Sequence, residues 1–192
     1  MRSKIQFFYD VASPYSYLAA HRILTLTDEV QFEWCPILLG GIFKATGNTS
    51  PALLPARAQY IIHDLERWAQ RHGTPFTYSS SFPHHSLVAM RALTAVDDSD
   101  RVALSMKVFR AAWVDNLDIS QVDVLVHIFG DRAERILKET QNPVVKNALK
   151  AMTQRAIDQG AFGAPSFVVD GALYWGNDRL DMVIDRARSG TE

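Results

Sequence analysis

What most constrains the fold is the order of its periodicities: strand-like patterns occupy the two ends of the chain, and helical patterns alone fill 55–160. Near the start, Ile5, Phe7 and Tyr9 alternate with Gln6, Phe8 and Asp10. Phe8 is apolar as well, which suits a strand buried on both faces. Ser13 fits a helix N-cap and Pro14 the first helical position, where a missing N–H costs nothing. That helix should run through Leu18 and Leu24 toward Thr27. Val30, Phe32 and Trp34 then alternate with Gln31, Glu33 and Cys35 as a second strand. Strand, helix and strand at this spacing predict a βαβ unit with parallel strands and a right-handed crossover.

From Pro55 to Gly160 the stripes are helical: Tyr60, Ile61, Leu65 and Trp68, then Leu87, Met90 and Leu93, then Val108, Ala112 and Trp113. Further helices are expected over Leu117–Phe129, Arg132–Thr140 and Pro143–Gly160, with Gly73-Thr74-Pro75 and Asn142-Pro143 as breaks. The end returns to β. Ser166–Val169, Asp170-Gly171 and Ala172–Trp175 predict a hairpin, because Asp-Gly tolerates the positive φ of a type I′ turn. Asp178 can cap a last helix from Arg179 to about Arg188. The order βαβ, helices, ββα is an α/β thioredoxin-like topology interrupted by a helical subdomain. Its expected parts are 1–54, 55–160 and 161–192.

Composition narrows the partners. A length of 192 residues suits one domain, or one domain with a large insertion. A formal net charge of -1 exerts no long-range pull on nucleic acid or anionic lipid, so a small molecule is the expected partner. The single cysteine, Cys35, excludes an internal disulfide, a C-x-x-C redox centre and a multi-cysteine zinc site. None of the six histidines stands in H-x-x-x-H or H-E-x-x-H spacing, so no metal is expected. No G-x-S-x-G elbow or phosphate-binding glycine loop is present. No apolar core of signal-peptide length precedes Asp10, and no stretch approaches the roughly 18 residues of a membrane span. A cytoplasmic protein is expected.

Three segments carry candidate chemistry. Ser13 and Ser16 stand where the strand–loop–helix of a thioredoxin-type fold would carry two redox cysteines. A helix N-terminus favours an anion through its unpaired N–H groups and dipole, so hydroxyls there suit the thiolate of another molecule. Lowering a thiol pKa by about 2 units takes roughly 2.7 kcal/mol. A serine hydroxyl bonded to an anion supplies about 1.5–3 kcal/mol and the dipole roughly 0.3–2 more. Taken alone, Ser13 reads first as an N-cap worth about 1 kcal/mol, and Ser16 reads as a structural residue. The second segment is Gly163-Ala164-Pro165-Ser166, directly before a predicted strand. In a thioredoxin-like arrangement its proline faces the first helix and leaves Ala164 free to pair with a peptide ligand, such as glutathione, as an added strand would. The third is Trp175-Gly176-Asn177-Asp178-Arg179, either a helix cap or a site for the glutathione α-amino and carboxylate groups, with Asp178 on the ammonium.

Taken together, Phe7-Phe8-Tyr9-Asp10-Val11-Ala12-Ser13-Pro14-Tyr15-Ser16-Tyr17-Leu18, Thr46-Gly47-Asn48, Pro55-Ala56-Arg57-Ala58-Gln59-Tyr60, Asp64-Leu65-Glu66-Arg67-Trp68-Ala69, Gly160-Ala161-Phe162-Gly163-Ala164-Pro165-Ser166-Phe167 and Trp175-Gly176-Asn177-Asp178-Arg179-Leu180 carry a resemblance. The chain resembles the bacterial 2-hydroxychromene-2-carboxylate isomerases and the related kappa-class glutathione transferases, both of the DsbA-like thioredoxin branch. The resemblance implies a glutathione cofactor, a small aromatic carboxylate as substrate and a homodimer. It implies that Ser13 stabilises the cofactor thiolate, that Asn48 stands near it, and that Ala164 beside Pro165 bonds the cysteinyl unit. Asn177 and Asp178 would hold the γ-glutamyl end. In the isomerases the thiolate would add to the conjugated substrate, allow bond rotation and leave. Two positions depart from the family pattern: Arg57 replaces a usual lysine, and His85 an asparagine common there. Guanidinium and ammonium bind carboxylates differently, so Arg57 bears on substrate choice. A kappa-like transferase and a non-catalytic binding module are the alternatives. Cys35 reads as a small buried hydrophobe rather than a reactive thiol. Trp113 reads as packing, with an aromatic pocket wall as the alternative, and Tyr15 as either a pocket wall or a packed ring.

Overall fold

Phe7 sits at the middle of the sheet and shows how its order is set. In the computed structural model, which describes residues 4–26, 30–50 and 54–189, β1 (Ile5–Tyr9) lies parallel to β2 (Phe32–Pro36), with Phe7 opposite Trp34. On its other side β1 runs antiparallel to β3 (Ser166–Val169), with Phe7 opposite Phe167. β4 (Ala172–Trp175) completes the order β2-β1-β3-β4. The Phe7 ring stacks on Phe167 at 5.3 Å and meets Trp34 edge-on at 5.0 Å. Offset and edge-on pairs of this kind add about 0.5–1.5 kcal/mol to the area they bury. The Asp170-Gly171 turn has φ of 49° and 74°, as a type I′ hairpin requires.

Both faces of the sheet are covered, which accounts for the unbroken apolar run of β1. Ile5, Phe7 and Tyr9 belong to the larger core with α1 (Pro14–Leu24), α3 (Pro55–His72), α4 (Leu87–Ala95), α5 (Asp98–Trp113), α6 (Val122–Phe129), α7 (Ala133–Glu139) and α9 (Leu180–Ser189). Phe8 belongs to a second cluster with Cys35, Ile42 and Ala156, closed by α2 (Leu39–Thr46) and α8 (Pro143–Asp158). Among the described residues no helix is long and apolar enough to cross a membrane.

The structure differs from the sequence expectations in several places: β2 begins at Phe32, leaving Val30 and Gln31 outside the strand, and α8 ends at Asp158, with the positive φ of Gly160 beyond it. α1 closes at Leu24 with Thr25 as its C-cap; Thr27, its expected limit, lies outside the described residues. The sequence reading places no element where α2 forms, and its Gly40 and Gly41 are poor helix formers. Tertiary contacts hold it: the Leu39 N–H donates to the Asp10 carboxylate at 2.8 Å, and the Leu38 N–H donates to the Thr153 hydroxyl on α8 at 3.0 Å. Leu117–Gln121 is not helical. The Asp118 carboxylate accepts from the Ser120 N–H, the Ser120 hydroxyl and the Gln121 amide, which offers the backbone a turn instead. Asp178 does not cap the last helix. A 3-10 turn spans Asn177–Arg179, α9 begins at Leu180, and the Asp178 carboxylate is taken by Arg179 at 2.7 Å.

Candidate functional site

Strand β1 ends at Tyr9, and the next four residues set the position of Ser13. Asp10 is buried, and its carboxylate accepts the Ala12 N–H at 3.0 Å and the Leu39 N–H at 2.8 Å. Its carbonyl accepts the Ser13 N–H. Burial raises the Asp10 pKa, against the two backbone donors and the Ser86 hydroxyl, which hold it down. Trp113 braces the same loop from beneath: its Nε1 donates to the Val11 carbonyl at 2.9 Å. Trp113 is fully buried, so packing is the reading that holds, and it presents no face to a ligand.

Ser13 is the N-cap of α1, in extended conformation, with Pro14 at the first helical position. Its Oγ accepts the Ser16 N–H at 3.1 Å and donates to the Ala164 carbonyl at 2.9 Å. The helix N-terminus and the Ala164-Pro165 segment, far apart in sequence, are therefore in direct contact. The Ala164–Pro165 peptide is cis, and the Gly176 N–H donates to the Pro165 carbonyl at 3.0 Å. That bond draws the Gly176–Asp178 turn to the same place. Ser16 is fully buried and its hydroxyl has no partner.

The other sequence candidates fall around this contact at different depths. Asn177 is 2% exposed, and its Nδ2 has no hydrogen-bond partner. A buried unpaired donor costs about 1–3 kcal/mol, so the site is short of an acceptor there. Asn48 is exposed just past the end of α2, and its Nδ2 donates to the Phe162 carbonyl at 3.2 Å. Arg57 is exposed on the first turn of α3, on the face shared with Ile61 and Asp64 by helical spacing. Asp64 accepts the Tyr15 hydroxyl at 2.7 Å, which turns this face toward the start of α1. Burial, the Asp64 bond and the Asp64 charge all push the Tyr15 pKa up, so its phenol stays protonated. Cys35 is buried, and burial followed by the Glu33 carboxylate pushes its thiol up to about 12, which removes it from thiolate chemistry.

Sequence reasoning missed three features. The carboxylate of Asp10 ties β1, α1 and α2 together, but one acid after a strand carries no signal of that. Phe162 and Trp175, 40% and 50% exposed, form a tilted aromatic pair with centroids 4.8 Å apart beside Ala164. His84 is 7% exposed, meets Trp113 edge-on at 5.1 Å, and has no partner for either ring nitrogen. Burial lowers its pKa, against the Asp118 carboxylate, which raises it. A folded pKa below the unfolded value of about 6.5 means that the native state binds fewer protons. The His84 contribution is then complete above about pH 6.5 and is lost as pH falls through that value toward the folded pKa. Denaturant unfolding of wild type and His84→Phe at pH 7.5 and 5.5 should show the variant gaining relative stability at the lower pH. An unchanged difference would remove this assignment.

Gly176 has φ of 106°, and a Cβ there would stand 2.5 Å from Asp178 Oδ1. Gly176→Ala is expected to cost about 1–3 kcal/mol of stability through backbone strain. It should also displace the Asp178 carboxylate, which a crystal structure of the variant would show.

Among the described residues no group of three or more His, Cys, Asp or Glu side chains could hold a metal ion. The profile of the DSBA-like thioredoxin domain matches residues 4–187. Human glutathione S-transferase kappa 1 is 31% identical over 93% of this chain and 88% of its own length. The 2-hydroxychromene-2-carboxylate isomerase of Sphingobium xenophagum is 28% identical over 95% of this chain and 97% of its own. A solved structure of a 2-hydroxychromene-2-carboxylate isomerase superposes with a TM-score of 0.87 at 24% identity, covering 95% of this chain and 93% of that one.

Proposed function

This chain belongs to the DSBA-like thioredoxin domain family, and on that footing we propose that it is a glutathione-dependent enzyme, an isomerase of small aromatic carboxylates of the 2-hydroxychromene-2-carboxylate type. The observation that carries the reading is the contact of the Ser13 hydroxyl, at the N-terminus of α1, with the Ala164 main chain at 2.9 Å. It joins an anion-stabilising helix end to a backbone segment suited to a peptide. The residues present fit glutathione: the buried Asn177 Nδ2 lacks an acceptor, which a ligand carboxylate would supply. Bound there, glutathione supplies a thiolate nucleophile.

The chain's own residues have distinct tasks in this reading. Ser13 would hold the sulfur at the helix end by turning its hydroxyl to it, beside the N–H of Tyr15, which has no intrahelical acceptor. Ala164, next to Pro165, pairs with the cysteinyl backbone. Asn177 donates to the γ-glutamyl carboxylate, and Asp178 exchanges its Arg179 partner for the α-ammonium. In this reading Asn48 and Arg57 would line the rim, and the exposed Arg57 would attract a carboxylate. Asp10 and Trp113 fix the loop that presents Ser13.

A kappa-type transferase is the second reading, favoured by the 31% identity to the human enzyme. Incubation with glutathione and an electrophile separates the two. Thiol consumed in step with product marks a transferase; thiol unchanged after many turnovers marks an isomerase. Calorimetry without glutathione binding at millimolar concentration would sink both and leave a non-catalytic binding module.

A further inference from the structure

A serine hydroxyl has one proton to donate. In this structure the Ser13 proton is already engaged on the Ala164 carbonyl, while Oγ accepts the Ser16 N–H. It cannot reach a sulfur at the same time. Turning it away would leave the Ala164 carbonyl without that donor, in a part-buried setting where a lost partner carries a free-energy penalty. Ala164 lies just before β3 and outside its ladders with β1 and β4, so its main chain is left for an extended peptide to pair with.

Resting on the glutathione reading above, we propose that the Ala164 carbonyl gates Ser13, so that the site activates only thiols whose sulfur-bearing residue also offers a backbone N–H. The Ala164 carbonyl receives the cysteinyl N–H on its second lone pair before the hydroxyl leaves, so it is never unpaired. Ser13 then rotates its O–H from the carbonyl to the sulfur and keeps the Ser16 N–H as the donor that holds Oγ in place. The sulfur's proton passes to solvent as the thiolate forms, and no other covalent bond changes. The hydrogen-bond count rises by one rather than falling, which makes the exchange favourable only when the ligand supplies both groups. A simple thiol such as mercaptoethanol has no N–H to release the carbonyl. The carbonyl therefore acts as a specificity determinant in addition to an anchor.

The test is a cycle between ligand N–H and protein O–H. Glutathione and its analogue methylated on the cysteinyl nitrogen are each saturated onto the wild-type protein and Ser13→Ala. Binding is followed by calorimetry and thiolate formation by ultraviolet absorbance across pH. With wild type, bound glutathione should titrate well below the ordinary thiol value of about 8.5, and the methylated analogue about 1 unit or more above bound glutathione. In Ser13→Ala that difference should vanish. Identical titration of the two ligands on wild type would overturn the gate and leave the glutathione reading standing. So would a difference that persists unchanged in Ser13→Ala. Absence of calorimetric binding of glutathione itself to wild type would overturn the glutathione reading, and the gate with it.

Discussion

Replacing Ser13 by alanine should lower turnover about 10- to 100-fold, because it removes one hydrogen bond to a charged sulfur, worth about 1.5–3 kcal/mol. The loss should fall on kcat with little change in KM, since the peptide contacts at Ala164 and the Asn177–Asp178 turn remain. Stability should fall by a smaller amount. The variant loses the N-cap bond to the Ser16 N–H and the bond to Ala164, and a cap of this kind is worth about 1 kcal/mol. For a chain of this size that is a Tm decrease of about 2–4 °C. Steady-state kinetics with glutathione and either 2-hydroxychromene-2-carboxylate or chlorodinitrobenzene, alongside a thermal melt, checks both numbers. Equal kcat in wild type and variant would end the thiolate role, whatever the melt shows.

The largest stability effect is expected at Trp113. It is fully buried, packs against Phe76, Phe82 and His84, and gives its Nε1 proton to the Val11 carbonyl. Trp113→Ala removes the apolar volume, at about 3–5 kcal/mol, and leaves a buried carbonyl unpaired, at about 1–3 kcal/mol more. Against a total of about 5–15 kcal/mol, that is a large share of the folding free energy. The urea midpoint should drop by about 3 M, taking a cost of about 6 kcal/mol and a slope of about 2 kcal/mol per molar. Trp113→Phe keeps most of the volume and should lose chiefly the Val11 bond. The order wild type, Phe, Ala is therefore the expected result. A cost below about 1 kcal/mol for Trp113→Ala would mean that the ring is not part of a packed core. Because Val11 lies two residues before Ser13, the Phe variant also tests how firmly the loop must be held for activity.

The elements that were legible in the sequence are those whose stabilisation is local. Ser13-Pro14 signals a helix start by itself, and Asp170-Gly171 signals a tight hairpin by itself, because cap and turn conformations are fixed by neighbouring atoms. Two-sided burial of β1 was also readable, since Phe8 breaks the alternation that a half-exposed strand would keep. α2 was not readable: its two glycines oppose a helix, and its support comes from Asp10 and Thr153 in other elements. The turn at Leu117–Gln121 was missed for the converse reason. Its apolar spacing looks helical, and the Asp118 side chain competes successfully for the local donors.

The candidate site divides along the same line. Ser13 could be named from its local capping motif, whereas Ala164, Asn177 and Asp178 were named from the thioredoxin-like arrangement and the resemblance, and the local cap expected of Asp178 does not form. That Ser13 gives its proton to Ala164, or that the Asn177 amide is buried without an acceptor, depends on distances between segments remote in the chain. His84 and the Phe162–Trp175 pair were invisible for this reason, since burial and exposure are properties of the packed molecule. By itself the sequence determined the strand and helix periods, the capping of α1 and the absence of a second cysteine. Only the tertiary structure decided where the one hydroxyl proton of Ser13 goes, because a hydrogen bond across the fold exists only once packing has brought its two ends within reach.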